Sequence, residues 1–207
     1  MIIINDKKYW DEYYKKHSQP SMPSSFAKFV REKLEPEKTL IELGCGNGRD
    51  SLYFSKKNIK ITAVDQITSE INYLNKYYAN KNLTFKDDDF TNLNKDIKYD
   101  YIYSRFTFHS INSKKEERVI QWIGSQLNID GRFFLEVRSI KDPMFKKGKQ
   151  ISDNENVTTH YRRYLKLDDI IKKLESQGLT IEYKIESQGL AKYQDDDPMV
   201  IRIIAKK

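Results

Sequence analysis

The chain has 207 residues, of which 38% are hydrophobic and 32% are charged, and its formal net charge is +7. This composition excludes a disordered or fibrous chain, and the single cysteine, Cys45, excludes an internal disulfide and a cysteine-based zinc site. The positive charge favours anionic partners, although scattered lysines on a solvated surface account for it equally well.

The N-terminal sequence MIIINDKKYW has only three consecutive apolar residues after Met1. That run is too short for a signal peptide, and no later run approaches the length of a membrane span. We therefore expect a cytoplasmic protein.

Aromatic residues at helical spacing mark the N-terminal segment, namely Tyr9, Trp10, Tyr13 and Tyr14. Pro20 and Pro23 interrupt this pattern, and a second helix follows with the sequence FAKFVREKL. An aromatic stripe of this kind is either core packing or a cover over a site. We expect residues 1–36 to form an N-terminal helical lid.

From Thr39 onward, short apolar strands alternate with helices, which indicates an α/β fold with a parallel sheet covered on both faces. The predicted strands are residues 39–44, 59–65, 83–86, 99–104, 132–137, 179–185 and 200–205. The predicted helices are residues 49–57, 69–78, 114–127 and 167–178. Residues 139–164 show no regular pattern, and an irregular connection of this length is usually functional. We expect one domain over residues 1–207, with 139–164 as an insertion on the substrate side.

A glycine-rich turn follows the first predicted strand, with the sequence Glu42-Leu43-Gly44-Cys45-Gly46-Asn47-Gly48. Glycines at alternate positions let the backbone approach a ligand closely, and the next helix presents free N–H groups. A dinucleotide site has the spacing G-x-G-x-x-G, whereas here the third glycine comes one residue early. Glu42 precedes the turn, where its carboxylate would repel a pyrophosphate but could hold an ammonium group.

Acidic residues also stand at the ends of the next two strands. Asp65 closes the second strand, where a carboxylate can accept both hydroxyl groups of a ribose. Asp87, Asp88 and Asp89 precede Phe90 after the third strand, a set that suits an adenine amino group and a stacked ring. The chain thus offers contacts to an ammonium group, a ribose and an adenine but none to a phosphate. That combination describes S-adenosylmethionine (SAM).

Together, E-x-G-C-G-x-G, the acidic end of strand two and the D-F pair after strand three resemble the class I SAM-dependent methyltransferases. The resemblance extends from about Thr39 to the C terminus. It implies a Rossmann-like, doubly wound sheet of seven strands with an antiparallel last strand. It also implies SAM as cofactor, S-adenosylhomocysteine as product, and cofactor contacts from Glu42, Gly44, Cys45, Gly46, Asn47, Gly48, Asp65, Gln66, Asp88, Asp89, Phe90 and Ser104.

The methyl acceptor is expected at the carboxyl ends of the strands, beyond the cofactor. That region lacks the N-P-P-Y motif of planar amino-group methylation, a Pro-Cys nucleophile and a carboxylate–histidine set for a metal. It is rich instead in Arg, His and Tyr, and Arg suits bidentate contacts to phosphate. An ionised phosphate or phosphoramidate oxygen needs no strong base, whereas a sugar hydroxyl would need His109 or His160 to take its proton.

The segments YSRFTFHSI, HYRRY and QDDDP resemble a subgroup of these enzymes from bacterial surface-polysaccharide (capsule) pathways. Some members methylate a phosphate or phosphoramidate on a glycan or on its nucleotide-linked precursor, which implies a small anionic or sugar-linked acceptor here. The predicted catalytic residues are Arg105, His109 and His160. The predicted acceptor contacts are Tyr13, Arg105, His109, Arg138, His160, Tyr161, Arg162 and Arg163.

Several of these residues could equally have a structural role. Arg105 and Arg138 could form ion pairs with Glu136 or with the aspartates, and His109 could cap a helix. The basic charge permits an RNA methyltransferase, although no RNA-binding module or aromatic-basic RNA motif is present, and nothing points to DNA. A non-catalytic SAM-binding subunit of a larger enzyme is the alternative from a different class.

Overall fold

The computed structural model describes residues 6–17 and 19–207, so residues 1–5 and 18 of the predicted lid lie outside the described residues. Seven strands make up the main sheet: β1 (Thr39–Leu43), β2 (Lys60–Asp65), β3 (Leu83–Asp87), β4 (Tyr99–Arg105), β5 (Leu127–Arg138), β9 (Thr180–Ser187) and β10 (Val200–Lys206). A smaller sheet contains β6 (Lys149–Ser152), β7 (Glu155–Val157) and β8 (Tyr161–Arg163).

The order of strands in the main sheet is β3-β2-β1-β4-β5-β10-β9. The first five strands pair in parallel, and β10 runs antiparallel to both of its neighbours, β5 and β9. This arrangement confirms the predicted seven-stranded, doubly wound sheet with an antiparallel last strand. Several predicted boundaries were wrong, and the largest error is at β5, which begins at Leu127, directly after the preceding helix, and not at Arg132.

The described residues form six α-helices: α1 (Asp6–His17), α2 (Ser25–Arg31), α3 (Arg49–Ser55), α4 (Thr68–Tyr77), α5 (Ser113–Gln126) and α6 (Leu167–Glu175). One hydrophobic cluster joins α5 and α6 to one face of the sheet, and a second joins α2, α3 and α4 to the other face. Adjacent residues Leu40 and Ile41 of β1 belong to different clusters, as the alternation of a strand requires. Within the described part of the chain, no helix combines the length and the apolar character needed to cross a bilayer.

The parallel strands reverse their order between β1 and β4. From β1 the chain proceeds outward to β2 and β3, and then returns to the other side of β1 as β4. In open α/β sheets a crevice forms at this point, outside the carboxyl ends of the two strands, and ligands bind there. The glycine-rich turn follows β1 and residues 106–109 follow β4, so both border this crevice.

The insertion at 139–164 is not the irregular connection that the sequence predicted. It contains a short 3₁₀ helix (Pro143–Lys146) and the antiparallel strands β6, β7 and β8. Its interior is polar: Asn156 is fully buried, and its Nδ2 donates to the backbone oxygens of Met144, Phe145 and Lys147. A strand whose buried residue is a hydrogen-bonded asparagine lacks the apolar alternation by which a strand is recognised in a sequence.

Helix α2 is fixed to the sheet by a buried hydrogen-bond network around Asp50 at the start of α3. The Ser24 side chain accepts from the Ala27 N–H (2.9 Å) and donates to Asp50 (2.7 Å), while the Tyr103 hydroxyl also donates to Asp50 (2.8 Å). Ser24 is therefore both the N-cap of α2 and its link to α3 and β4. This network holds the N-terminal segment close to the crevice.

Replacing Ser24 by alanine removes the cap and leaves Asp50 with one partner fewer. We expect Ser24→Ala to lower the free energy of unfolding by about 1–3 kcal/mol, because a cap and a hydrogen bond to a charged group are both lost. Urea denaturation measures this change. Ser176→Ala, at an exposed position after α6, serves as the control and should stay within about 0.5 kcal/mol of the wild type. Equal losses in the two variants would contradict the role given to Ser24.

Candidate active site

The glycine-rich turn between β1 and α3 requires glycine at specific positions. Gly44 and Gly46 have φ angles of +74° and +54°. A Cβ atom on Gly44 would clash with the Thr107 methyl group, and one on Gly46 would clash with the Tyr14 hydroxyl. The turn therefore packs directly against the segment after β4 on one side and against α1 on the other.

Asp65, at the end of β2, holds the turn in place. One carboxylate oxygen accepts from the Gly46 N–H (3.0 Å) and the other accepts from the Ile67 N–H (3.1 Å). Burial raises the pKa of Asp65, and these backbone hydrogen bonds act in the opposite direction. Each oxygen retains a second lone pair, so a ligand bound over the turn can still donate to this carboxylate.

Glu42, the predicted ammonium contact, is enclosed between β1 and α3. Its carboxyl is buried and accepts a hydrogen bond from the Ser51 hydroxyl in α3. Burial and the neighbouring charge of Asp50 raise the pKa of Glu42 well above its usual range. A carboxyl that tends to be neutral attracts an ammonium group weakly, so the predicted contact stays a prediction.

Helix α1 lies across the turn. The Asn47 Nδ2 donates to the backbone oxygens of His17 (3.2 Å) and Gln19 (3.3 Å). Tyr14 of this helix is packed against Gly46, and burial and then the charge of Asp65 raise the pKa of its hydroxyl. Tyr14 was not among the predicted site residues. The aromatic stripe was its signal, but the prediction selected Tyr13, which is 40% exposed and stacks on His17.

Glu70, in the first turn of α4, is a second residue that the sequence did not single out. Its side chain is buried, and its Oε1 has no hydrogen-bond partner among the described residues. Burial, followed by the charge of Asp65, raises the pKa of Glu70 to about 7. A buried titratable group beside a crevice is typical of functional sites.

The remaining predicted cofactor residues differ in their exposure. Phe90 is half-buried beside Gly44, and Asp89 accepts from the Thr91 N–H (2.9 Å) to cap a short 3₁₀ turn. Asp88 and Gln66 are exposed, and Gly48 and Cys45 are buried within the turn. Ser104 is fully buried, with its hydroxyl bonded to that of Thr107.

On the acceptor side, His109 is a buried histidine with a ring nitrogen that pairs with none of the described residues. It lies in a short 3₁₀ helix after β4, is 5% exposed, and its Nδ1 has no hydrogen-bond partner among the described residues. Burial and then the positive charges of Arg162 and Arg138 lower the pKa of His109 well below its usual value of 6.5. Its imidazole is therefore neutral at pH 7, with one nitrogen available.

His160 approaches from the insertion and is also neutral. Burial, with the charges of Arg162 and Arg138, lowers the pKa of His160 from 6.5 to about 4. Its ring packs against Tyr9 (4.3 Å between ring centroids) and Trp10 (5.2 Å) of α1. The N-terminal helix thus contacts the acceptor side as well as the glycine-rich turn.

Three predicted arginines converge around these histidines, and their ion pairs differ. Arg105 pairs with the fully buried Glu136 (2.9 Å), as the structural alternative required. Arg138 pairs with Asp142 (2.8 Å) and Asp196. Among the described residues no carboxylate lies within 4 Å of Arg162, whose Nη1 donates to the Thr158 hydroxyl.

Phe106 connects two of these arginines. Its ring lies 4.3 Å from the Arg105 guanidinium carbon and 5.7 Å from that of Arg138. Its φ angle is +56°, which is unusual for a bulky residue, and its N–H donates to the Glu136 backbone oxygen (2.9 Å). Strained backbone held by its surroundings is common at functional sites.

Two predicted acceptor contacts point elsewhere. Arg163 is buried and binds Glu116 of α5 and the Ile111 backbone oxygen (3.0 Å), on the opposite side of β8 from Arg162. The Tyr161 hydroxyl donates to Glu155 within the small sheet (2.6 Å). Both residues have structural partners here, so their proposed contact with an acceptor has no support from the geometry.

Comparison with known proteins agrees with this geometry. The chain matches the family model described as a methyltransferase domain over residues 14–184. It is 30% identical over 94 residues to the probable S-adenosyl-L-methionine-dependent methyltransferase TehB of Haemophilus influenzae. That alignment covers 44% of this chain and 33% of TehB. The chain is 28% identical over 162 residues to the malonyl-[acyl-carrier protein] O-methyltransferase of Bacillus cereus. That alignment covers 74% of this chain and 60% of the relative. The chain thus matches less than two thirds of the length of both relatives.

A solved structure shows the same fold. The 1,6-didemethyltoxoflavin-N1-methyltransferase of Burkholderia thailandensis, with bound S-adenosylhomocysteine, superposes with a TM-score of 0.68 at 16% identity, over 88% of this chain and 76% of that one. The named acceptor atoms of the relatives differ, since one is an O-methyltransferase and the other an N1-methyltransferase. What they share with this chain is the methyltransferase domain, which the family model matches over most of its length. The chain belongs to the SAM-dependent methyltransferases of class I.

Proposed function

We propose that this methyltransferase transfers the methyl group of SAM to an oxygen of a small phosphorylated or nucleotide-linked acceptor, with a phosphoramidate included in that class. The observation that carries this proposal is the convergence of the Arg105, Arg138 and Arg162 guanidinium groups on the buried, neutral His109. Guanidinium groups are the preferred protein partners of phosphate oxygens. The arginine cluster is close to the glycine-rich turn, because Thr107, two residues before His109, packs against Gly44.

The residues around the turn fit SAM as the cofactor. Gly44 and Gly46 carry no side chain, so the turn itself adds no group that would keep a flat nucleoside from its backbone, while Thr107 and Tyr14 lie directly against these two glycines. Asp65 would accept from the ribose hydroxyls, and Phe90 would contact the adenine ring. When bound, SAM supplies an electrophilic methyl group on a sulfonium.

The protonation state of the histidines favours an acceptor that is already ionised. A good general base has a pKa near the working pH, but burial and the nearby arginines lower the pKa of His160 to about 4 and place that of His109 well below 6.5. Neither imidazole is suited to taking a proton from a sugar hydroxyl. A phosphate oxygen needs no such base, so the task of these residues would be to orient and align it.

The same charges favour oxygen over nitrogen as the acceptor atom. Three guanidinium groups stabilise an anionic oxygen, whereas they repel an amine that carries or develops positive charge. The proposal therefore resembles the O-methyltransferase among the relatives more than the N1-methyltransferase. A role in surface-polysaccharide biosynthesis rests on the sequence resemblance alone and stays a prediction.

A test of the cofactor residues begins with Asp65. We expect Asp65→Ala to raise the Kd for SAM at least about 100-fold, because the variant loses the ribose acceptor and the hydrogen bond that fixes Gly46. Isothermal titration calorimetry measures the affinity. Asp153→Ala, an exposed aspartate in the insertion, is the matched control and should bind SAM like the wild type. Unchanged affinity in Asp65→Ala would refute the assignment of this carboxylate.

A screen of acceptors tests the proposed activity directly. We expect the purified chain alone to transfer radiolabelled methyl groups from SAM to one or more compounds in a panel of phosphorylated and nucleotide-linked sugars. The same assay should include their dephosphorylated counterparts, which should accept no label. Turnover by the isolated chain would also exclude a purely supporting subunit, whereas label on an RNA substrate only would overturn the proposal in favour of the RNA alternative.

Arg162 offers the sharpest test of the anion site, because no carboxylate competes for it within ion-pair distance among the described residues. With a phosphorylated acceptor from the screen, we expect Arg162→Gln to lower kcat/KM about 10- to 100-fold, which corresponds to roughly 1.5–3 kcal/mol for a charge-assisted contact. Arg118→Gln, on the exposed face of α5, removes the same charge far from the crevice and should leave kcat/KM unchanged. Identical losses would show a bulk charge effect, and no loss in either variant would refute the site.

A further inference from the structure

Arg138 is held by two carboxylates that differ greatly in their surroundings. Its Nη1 binds Asp142, whose side chain is 1% exposed, and its Nη2 binds Asp196, whose side chain is 47% exposed. Asp142 also accepts from the Met144 N–H (2.7 Å), so it belongs to the hydrogen-bonded framework of the insertion. Asp196 approaches the same guanidinium from the solvent side.

Asp196 belongs to a loop between the last two strands of the sheet. Residues 188–199 connect β9 to β10, and the loop is folded on itself by two hydrogen bonds between the backbones of Tyr193 and Asp196 (2.9 and 3.0 Å). The next residue, Asp197, accepts from the Gly189 N–H (2.8 Å) across the base of the loop. Tyr193 is 68% exposed, so the outer face of the loop is open to solvent. The Asp196 side chain reaches from this loop to Arg138.

The balance of charge shows what Asp196 does to the site. Two sets of ion pairs lie on either side of the Phe106 ring: Arg105 and Arg202 share Glu136, and Arg138 binds Asp142 and Asp196. Arg162 lies near Arg138 and Asp196 without an ion pair of its own among the described residues. These four guanidinium groups and three carboxylates are called the cluster below. The cluster carries one net positive charge while Asp196 is bound. It would carry two if Asp196 left, and the position vacated on Arg138 would lie beside Arg162.

We propose that Asp196 is an internal competitor of the acceptor: it occupies on Arg138 the position that an acceptor oxyanion takes, and an acceptor with two negative charges, such as a phosphomonoester, replaces it. This inference rests on the proposed function of the arginine cluster and deepens it. A carboxylate on an exposed loop can be released without unfolding the core, whereas the buried Asp142 continues to orient Arg138. A doubly charged oxyanion restores neutrality to the opened cluster.

Binding of inorganic phosphate at pH 8, measured by calorimetry on the whole chain, tests this inference. We expect Asp196→Asn to tighten phosphate binding about tenfold, the size of one charge-assisted hydrogen bond. Asp195→Asn is the matched control, since it removes the same charge from the neighbouring exposed position and should change the affinity less than about twofold. Dimethyl phosphate, which has one charge, should bind more weakly than phosphate to both the wild type and Asp196→Asn.

The outcomes separate this inference from the proposed function. Equal tightening in the two aspartate variants would show a general charge effect, and weaker phosphate binding in Asp196→Asn would show that Asp196 only positions Arg138; either result overturns the inference. Arg162→Gln should weaken phosphate binding in every background. If it does so while Asp196→Asn has no effect, the inference fails and the anion site stands. If phosphate binds to none of the proteins, both fail. SAM affinity, measured in parallel, confirms that each variant is folded.

Discussion

The acceptor side of this protein depends on one buried carboxylate, Glu136. The register of the sheet places Arg105 of β4 opposite Glu136 on one side and Arg202 of β10 opposite it on the other. Both guanidinium groups bind the fully buried carboxylate, at 2.9 and 2.6 Å. A buried ion set is costly to form, and removing one member leaves an unpaired charge, so the three residues act as a unit. The antiparallel last strand supplies Arg202, so the topology of the sheet determines which residues form this ion set.

The two halves of the crevice differ in charge. On the cofactor side, Asp65 and Glu70 surround the glycine-rich turn and no described arginine pairs with them. On the acceptor side, positive groups dominate and lower the pKa of both histidines. The Arg202 guanidinium also lies 5.1 Å from the ring of Phe26 in α2, which links the cluster to the N-terminal segment. A cationic cofactor and an anionic acceptor would thus each meet an environment of opposite sign.

Much of this could be predicted from the sequence, because the signals were local. Alternating strands and helices indicated the class of the sheet, and the spacing of Gly44, Gly46 and Gly48 reflects a backbone that admits no side chain. The small sheet of the insertion could not be predicted, because its strands show no apolar alternation. Its buried residue Asn156 is polar and is held by hydrogen bonds to the backbone of the insertion. The pairing of Arg138 with Asp142 and Asp196 was equally hidden. Asp196 is 58 residues away in the chain, and only the fold brings it to Arg138.

Helix α1 couples ligand binding in the two halves of the crevice, because it contacts both of them. Tyr14 packs on Gly46 at the turn, while Tyr9 and Trp10 pack on His160 of the insertion. A rigid helix of 12 residues cannot shift at one end without changing its contacts at the other. A ligand that displaces α1 on one side therefore changes the affinity of the other side, and linkage requires the two effects to be equal in size. The affinity of each half for its ligand is then a joint property of the pocket and of this helix.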